Sequence, residues 1–549
     1  MQITQRSKGL KITTIDIFML LFLAYQMVVY TINGNLYGTS SAYLPPLAGC
    51  LYFFLRNILL MRKARYIILI ILIGWCSIEI ILCIGQILQI TDFALYSFSF
   101  GGSFGNPGAV GGFFSLLLPM FLSVSHVLSR CRACSIVYNW LIICLILMIF
   151  LVIMSDSRGA WIASIVGCSF VCIKRYKNKL LFFYGSITHK ITCCVCFLLI
   201  CCSTIVFLYL YKADSAFGRL FIWKVAIKMS HTNFLFGEGI STFYAKYSGW
   251  QSDYFKIFGG TDKEKYVADY VTTAYNEFLE KFIEQGVMGM TFLVVFFVLT
   301  LATSKHYKRC IMTGARGAIW GLLILCLVSY PLTIPTIMIL VVLYVALISI
   351  STFPLNTISS RWIKSSVISF VFVSFFFVLS ELAFFAYGKY TFTKGQIMMS
   401  QGKLDDAMEL YRKASIYLKN DGILMFQEGV IFSMKKDYYK ALMCYQSAME
   451  KTSDPNLFLQ IGDCYKEMGN MSEANNFYKK SSCVIPSRLY PRYKQFQLSK
   501  QINNKEESMR LAYEILSIPV KIPTIYAENI REEMQDYIEK SNQKKVPME

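Results

Sequence analysis

The sequence predicts an all-α protein, with a polytopic membrane bundle of about eleven spanning helices followed by a helical solenoid. Hydrophobic types make up 55% of the 549 residues and charged types 16%, whereas a soluble chain holds about 25% charged residues. Long apolar runs continue to about Gly388, and a fixed period follows them. This composition excludes a disordered, collagen-like or disulfide-scaffold protein.

The charges divide the chain into two predicted domains, 1–388 and 389–549. The first holds 30 Lys+Arg and 14 Asp+Glu, and the second holds 24 and 20. Most of the formal net charge of +20 therefore lies among the apolar runs. Basic residues next to membrane spans orient the chain in the bilayer, so we expect no nucleic acid partner.

The apolar runs of the first domain are each long enough to cross a bilayer, which takes about 20 residues. We predict eleven spans, at 14–33, 42–60, 66–89, 108–128, 137–155, 159–174, 190–211, 287–304, 314–330, 332–351 and 365–387.

The orientation of these spans follows from their basic flanks. Lys and Arg concentrate at the N-terminus and in the even-numbered connections, for example in Arg62–Lys63–Arg65. Since cytoplasmic loops are enriched in Lys and Arg, we predict a cytoplasmic N-terminus and an extracytoplasmic second domain. Arg158 departs from this pattern, because it lies in an odd-numbered connection.

The connection 212–286 is predicted to be a long outer loop. It holds nine basic and nine acidic residues. Loops of more than about 15 residues are uncommon without a function. We therefore expect the chemistry of the protein to involve this loop.

Two arginines on the predicted outer side are candidate anion ligands. Arg158 lies between two spans, and it is either an anchor at the membrane interface or a phosphate ligand. Arg219 precedes Trp223 by four residues in a predicted helix 218–229, which allows a structural cation–π contact or a second phosphate ligand. The fork of a guanidinium matches phosphate oxygens.

The end of the loop predicts a helix that begins at Ala274 and ends at Gly286. Its apolar face would carry Tyr275, and the opposite, solvated face would carry Asn276 and Glu277, with Glu277 paired to Lys281. The sequence shows no His–carboxylate cluster and no metal-ligand spacing. We predict neither a metal nor a cofactor.

The second domain repeats with a period of 33 to 34 residues. Three units share small residues and a tyrosine, namely Gly395, Gly429 and Gly462, Ala407, Ala441 and Ala474, and Tyr411, Tyr445 and Tyr478. A fourth unit is predicted through Met509, Tyr513 and Leu516. The pattern resembles the tetratricopeptide repeat, a helix pair whose arrays form concave surfaces for partner proteins.

The motifs of the first domain, taken in order, resemble the O-antigen ligase superfamily over roughly residues 15–350. That superfamily includes ligases, O-antigen polymerases and bacterial O-oligosaccharyltransferases. The motifs are Phe104–Gly108, Ser157–Trp161, Gly218–Trp223, Phe236–Gly239 and Ala274–Leu279.

The resemblance implies a bundle similar to GT-C ligases in the bacterial inner membrane, with the repeat domain in the periplasm. It implies a metal-independent, inverting transfer of a glycan from undecaprenyl diphosphate to lipid A-core, a growing glycan or a protein hydroxyl. Arg158 and Arg219 match the arginines that are thought to hold the diphosphate.

The resemblance leaves the general base open. The family often has His-Asn where this chain has Tyr275 and Asn276, and the unperturbed pKa of tyrosine is about 10, against about 6.5 for histidine. Glu277 is a substitute candidate for the base.

Two other classes of protein remain as alternatives. A transporter of lipid-linked sugars usually places ionisable residues near the middle of the bilayer, and Glu79 and Glu381 are the candidates for such positions. A membrane-anchored scaffold would use the repeats alone, but it leaves the charged loop 212–286 unexplained.

Overall fold

The computed structural model describes most of the chain and confirms the all-helical fold class. The described residues are 10–33, 36–90, 99–129, 135–183, 210–230, 233–302, 310–352, 354–358, 360–521 and 523–543. These residues form two compact units. Unit 1 comprises residues 1–34, 41–211 and 275–381, and unit 2 comprises 35–40, 212–274 and 382–549.

Unit 1 is a bundle of apolar helices. Its described helices are Thr14–Asn33, Leu44–Leu59, Arg62–Ile87, Pro107–Leu128, Ser135–Met154, Arg158–Phe183, Glu277–Leu301, Cys310–Val328 and Pro335–Ser349, with Arg361–Ser400 beginning here and continuing into unit 2. A short antiparallel ribbon, which the sequence did not predict, pairs Leu10–Ile12 with Asn356–Ile358.

Seven helices in the described part of the chain are long and apolar enough to cross a membrane. They coincide with seven of the eleven predicted spans. Three other predicted spans correspond to the helices Leu44–Leu59, Arg158–Phe183 and Pro335–Ser349. The predicted span 190–211 lies almost wholly outside the described residues. The protein is thus a multi-pass membrane protein, and the count of eleven spans stays a prediction.

The helix Pro107–Leu128 lies at the centre of unit 1, since most of its residues are buried. It packs against Arg158–Phe183 and Cys310–Val328 through glycines. A Cβ on Gly167 would lie 2.6 Å from Pro119 Cγ and 2.8 Å from the carbonyl oxygen of Gly317. Small residues of this kind allow membrane helices to approach closely.

Unit 2 joins most of the predicted outer loop to the repeat domain. From the loop come the helices Ala213–Met229, Thr242–Phe258 and Asp262–Val267. The repeat domain adds the end of Arg361–Ser400 and the helices Leu404–Ser415, Gly422–Met434, Tyr438–Met449, Leu457–Glu467, Met471–Val484, Leu489–Gln501, Lys505–Ser517 and Ile525–Gln543. The predicted boundary near Gly388 falls inside the helix Arg361–Ser400, and the division between the units follows Glu381.

The glycine and tyrosine of each predicted repeat are packed against one another. A Cβ on Gly429 would lie 2.5 Å from the Tyr445 ring, and the pairs Gly395–Tyr411 and Gly462–Tyr478 show the same approach at 2.5 and 2.6 Å. The three tyrosines are buried. The predicted reason for this pattern, close helix packing around a tyrosine, is therefore confirmed.

The turn inside each helix pair repeats at the same interval. One residue with a left-handed backbone occurs at spacings of 34, 33 and 34, in the order Gly402, Lys436, Gly469 and Asn503. The fourth turn shows that the array has a fourth helix pair, Leu489–Gln501 with Lys505–Ser517.

The predicted register of the fourth unit was wrong by one residue. Tyr513 is 53% exposed, whereas Leu511, Ala512 and Ile515 are buried. Counted from the turn, the place of the tyrosine is taken by Ala512, and the place of the glycine is taken by Phe496. The sequence misled us because the fourth unit exchanges its small and large residues.

The helix Thr242–Phe258, which we call the docking helix, is fixed to the repeats by hydrogen bonds to backbone carbonyls. Ser248 Oγ donates to the carbonyl of Ser453 at 2.7 Å, and Gln251 Nε2 donates to that of Val484 at 2.5 Å. Ser252 Oγ donates to Lys480 O at 3.2 Å. The polar side chains of Ser248, Gln251 and Ser252 are therefore buried because they bind the backbone of the repeats.

Candidate functional site

Arg158 is the first residue of the helix Arg158–Phe183, directly after a tight turn between two helices of unit 1. Asp156 in that turn has a left-handed backbone, with φ 51°. Trp161 closes the turn, because its Nε1 donates to the carbonyl of Val152 at 2.8 Å. Arg158 is half-buried. The first N–H groups of a helix carry a partial positive charge, so this position adds to the charge of the guanidinium.

Gly159 packs the helix of Arg158 against the end of the helix Cys310–Val328. A Cβ on Gly159 would lie 3.1 Å from Val328 Cγ2 and 3.7 Å from Leu325 Cδ2. A side chain larger than hydrogen would therefore push the Arg158 turn away from Val328.

The helix predicted at Ala274 begins instead at Glu277, with Asn276 as its N-cap. Asn276 Oδ1 accepts from the backbone N–H of Leu279 at 3.0 Å. Tyr275, with φ 52°, has a left-handed backbone that ends the preceding loop. The helix also continues through its predicted end, because Gly286 forms a kink with φ 62° and the helix runs on to Leu301.

The predicted solvated face of this kinked helix is buried. Glu277 is 1% exposed, and Glu280 and Glu284 are also buried. Lys281 forms its ion pair with Glu284 at 2.8 Å rather than with Glu277. Simple helical periodicity failed here because the carboxylates face the inside of unit 1.

Glu277 uses one carboxylate oxygen and leaves the other without a partner. Its Oε1 accepts the backbone N–H of Leu332 at 2.7 Å. Within the described residues, Oε2 has no hydrogen-bond partner. A buried carboxylate oxygen without a partner costs stability, which is typical of a group kept for a ligand or for chemistry.

Tyr275 contacts the same segment as Glu277. Its ring meets that of Tyr330 edge to face, with centroids 5.3 Å apart. Residues 328–332 thus contact Gly159 through Val328, Tyr275 through Tyr330 and Glu277 through Leu332. Unit 1 thereby brings the Arg158 turn and the start of the kinked helix to one short segment. Tyr330 was missed in the sequence, where no motif marked it.

Arg219 lies in unit 2, on the helix Ala213–Met229, which confirms the predicted helix. Arg219 is half-buried. Trp223, four residues later, donates from Nε1 to the carbonyl of Ala274 at 2.8 Å. In the motif Phe236–Gly239, both glycines have a positive φ, which favours glycine at these positions.

Next to Trp223, Lys224 forms an ion pair that fixes the short helix Asp262–Val267. Lys224 Nζ lies 2.5 Å from Glu264 Oε1, and the Glu264 side chain is buried. Burial favours a higher pKa for Glu264. However, the bonds from Lys224, the Thr261 N–H and Tyr254 outweigh burial and hold the pKa of Glu264 below its ordinary value.

The residues directly before the motif Phe104–Gly108 are held by two buried polar side chains of the helix Arg62–Ile87. Glu79 accepts from the backbone N–H of Ser103 at 2.7 Å and from its hydroxyl at 2.8 Å. Gln86 Oε1 accepts from the N–H groups of Gly101 and Gly102, each at 2.8 Å. Glu79 therefore has a structural partner, which weakens its interpretation as a transport residue.

No metal centre emerges from the described residues, where no group of three or more His, Cys, Asp or Glu side chains is arranged to hold an ion.

The fold and these sites define a multi-pass membrane protein with a helical repeat array. One region of the chain matches a known protein family. Residues 143–294 match the model of the O-antigen ligase family, and this region contains all five predicted site residues. Residues 143–294 are therefore similar to the O-antigen ligase family, and the resemblance stated from the motifs is confirmed for this region. This match supports a glycosyltransferase-like enzyme of lipopolysaccharide or glycoconjugate biosynthesis.

Other comparisons add little. No curated protein matches the chain. Among solved structures, the chain is similar to the APC/C hetero-tetramer Cut9–Hcn1, with 13% identity over 69% of this chain and 96% of that one, at a TM-score of 0.25. It is also similar to yeast Tom70, with 12% identity over 76% and 89%, at a TM-score of 0.23.

Proposed function

We propose that the protein transfers a glycan from undecaprenyl diphosphate to a hydroxyl of lipid A-core on the periplasmic face of the inner membrane. The acceptor oxygen attacks the anomeric carbon of the donor glycan. The bond from that carbon to the phosphate oxygen breaks, and undecaprenyl diphosphate leaves with the electron pair. The acceptor proton passes to a base. The observation that carries the proposal is the meeting of the Arg158 turn and Glu277 at residues 328–332.

Arg158 is proposed to bind the diphosphate and to stabilise its departure. Negative charge develops on the leaving group, and fixed donors aimed at that charge lower the barrier. The helix that begins at Arg158 adds backbone N–H groups at the same end. Positive charge from protein groups would make a metal unnecessary, so transfer should persist in a strong chelator.

Arg219 is proposed as a second ligand of the diphosphate. Its support is the motif Gly218–Trp223 inside the matched region and the bond from Trp223 that fixes its helix to Ala274. Each charge-assisted hydrogen bond to a phosphate oxygen contributes about 1.5–3 kcal/mol.

Glu277 is proposed as the base that accepts the proton of the acceptor hydroxyl. Its Oε2 has no partner among the described residues, while Oε1 is held by Leu332. Tyr275 is proposed to line the acceptor side, fixed by Tyr330. Asn276 is proposed to position Glu277, because its side chain caps the helix that Glu277 begins.

The test is transfer by the purified protein in lipid, with a glycan on undecaprenyl diphosphate as donor. Lipid A-core, a growing glycan chain and a serine-containing protein are offered in turn as acceptors. Product on lipid A-core is expected. Product on a growing glycan alone would mean a polymerase, and product on protein alone an oligosaccharyltransferase. Absence of all three products would overturn the proposal.

The proposed orientation has its own test. A reporter that is active only in the cytoplasm, fused after residue 549, should be silent. The same reporter fused at the N-terminus should be active. Activity of the C-terminal fusion would contradict the count of eleven spans and the periplasmic place of the repeats.

A further inference from the structure

Unit 2 contains a cavity of about 490 Å³ where the docking helix meets the second and third repeats. Three aromatic side chains line it, from Tyr37, Trp250 and Phe458. Pockets of about 300–1,000 Å³ with aromatic walls and a few polar groups are typical of small-molecule sites. None of the transfer residues named above lines this cavity.

The walls of the cavity are held in place before any ligand arrives. Ser248, which lines it, donates to the carbonyl of Ser453, which lines it from the repeats. Ser453 in turn donates from its hydroxyl to the carbonyl of Tyr244. Lys451 lies over the Tyr37 ring, with Nζ 5.7 Å from the centroid. A rigid wall reduces the entropy lost on binding.

The charges of the lining favour a neutral ligand with many hydroxyl groups. The lining includes three acidic residues, Asp253, Glu450 and Asp454, and two basic residues, Lys246 and Lys451. Lys246 is already paired with Glu238 at 2.7 Å. This balance disfavours a phosphate or diphosphate, which needs net positive charge.

The geometry also favours a sugar ring. Trp250 is half-buried, and a Cβ on the adjacent Gly249 would have no atom within 4 Å, so the space beside the helix is open. Asp253, one helical turn from Trp250, is exposed and can accept hydrogen bonds from hydroxyl groups. An aromatic face beside carboxylates matches a pyranose, which has an apolar C–H face and a rim of hydroxyls.

We infer that this cavity is a binding subsite for a neutral oligosaccharide, with Trp250 stacked on a sugar ring and Asp253 accepting from its hydroxyls. The inference rests on the proposed function for its biological setting, since both the donor and the acceptor carry glycans. Its test does not depend on transfer.

The experiment measures binding to the full-length protein in lipid nanodiscs by calorimetry. Two probes represent the two sources of glycan: the oligosaccharide released by mild acid from the undecaprenyl diphosphate pool of the host, and the delipidated core oligosaccharide. A serine-rich peptide is the third probe. We expect one of the two oligosaccharides to bind and the peptide not to bind.

Variants locate the binding. Trp250→Ala should weaken it about 10-fold or more, because the stacked ring is lost, while Trp250→Phe should keep most of it. Asp253→Asn should weaken binding by a few fold, and Asp262→Asn, on a fully exposed residue of the neighbouring helix, should not. Arg510→Ala, on the exposed surface of the repeats, should bind the oligosaccharide like the unchanged protein. Binding is measured without transfer, so a failure of transfer remains distinguishable from a failure of this subsite.

Three results would overturn the inference: no binding of either oligosaccharide, binding of the peptide alone, or unchanged binding by Trp250→Ala. Helical content and melting temperature of each variant show whether it has folded. If Trp250→Ala does not fold, the oligosaccharide affinities of Asp253→Asn and Asp262→Asn are compared instead. Equal affinity of these two variants would reject the site.

Discussion

The repeat array of unit 2 and the start of the kinked helix in unit 1 both bury polar side chains, which are mainly neutral tyrosines in the array and carboxylates in the helix. In the array, the hydroxyl of the buried Tyr478 donates to Asp463 at 2.6 Å. In the helix, Glu277 is buried with one oxygen unpartnered among the described residues. Burying a charge without partners costs several kcal/mol. The array also buries the Tyr445 hydroxyl without a partner among the described residues, but a neutral hydroxyl costs less to bury than a carboxylate. The carboxylate of unit 1 is therefore the costlier group, and packing alone does not explain it.

The largest expected effect tests the cationic side of the unit 1 site. Arg158→Ala should lower the rate of transfer about 10²–10³-fold if the guanidinium acts like an oxyanion-hole donor. Arg158→Lys should already reduce the rate, because lysine keeps the charge and loses the fork. Arg219→Ala and Arg219→Lys should follow the same order. The measurement is the transfer rate at matched protein level with the undecaprenyl diphosphate donor.

The matched control is Arg510→Ala. Arg510 pairs with Glu507 and Glu514 on the exposed surface of the repeats, so its loss should leave the rate unchanged. If Arg158→Ala turned over at the rate of this control, Arg158 would be an anchor at the membrane interface, and the diphosphate role would be wrong.

The sequence predicted the packing of the repeats better than it predicted the candidate site in unit 1. The Gly429–Tyr445 pair followed from its period, because a repeated fold repeats its contacts. The sequence singled out Arg158 because it is a basic residue in an odd-numbered connection between spans, where the other short connections of this kind carry few basic residues. Burial of Glu277 did not follow, since periodicity assigns a carboxylate to the solvated face. The contacts of Tyr330 and Leu332 depend on residues about 55 positions apart, and no local pattern encodes them.

The second expected effect tests whether the unpartnered oxygen of Glu277 has a chemical use. Glu277→Gln keeps an acceptor for the Leu332 N–H and loses the basic oxygen. We expect transfer to fall about 10²-fold, at the low end of general-base effects. Donor binding, measured with a non-transferable undecaprenyl diphosphate, should change little.

Glu280→Gln provides the comparison for Glu277, because Glu280 is also a buried carboxylate of the same helix. A smaller effect on transfer is expected there. Equal losses in both variants would show that buried charge in this helix serves stability, and the role of Glu277 as a base would fall.

The third effect tests the packing side of the comparison. Gly429→Ala adds a methyl group 2.5 Å from the Tyr445 ring, and such overpacking costs about 1–3 kcal/mol. Gly249→Ala, in the docking helix, meets no atom within 4 Å and should be neutral or stabilising by up to about 1 kcal/mol. Thermal unfolding of the full chain measures both. A melting temperature for Gly429→Ala equal to that of Gly249→Ala would contradict the tight packing.

The smallest effect concerns pH. The folded pKa of Glu264 lies below its ordinary value of 4.5, so its ion pair with Lys224 stabilises unit 2 above that pH. The contribution is lost as the pH falls through the folded pKa. Melting temperatures measured between about pH 6 and pH 3.5 should therefore drop less for Glu264→Gln than for the unchanged protein. Parallel pH curves for the two proteins would refute this ion-pair account.

In the fourth repeat, the residues at the glycine and tyrosine positions differ from those of the other three units and fit each other as a pair. Where three units have a glycine beneath a tyrosine, the fourth has Phe496 and Ala512, both buried. Had the phenylalanine come first, it would have collided with a tyrosine; had the alanine come first, it would have left a void over a glycine. The two positions therefore depend on each other, and a change at either one alone is expected to lower stability.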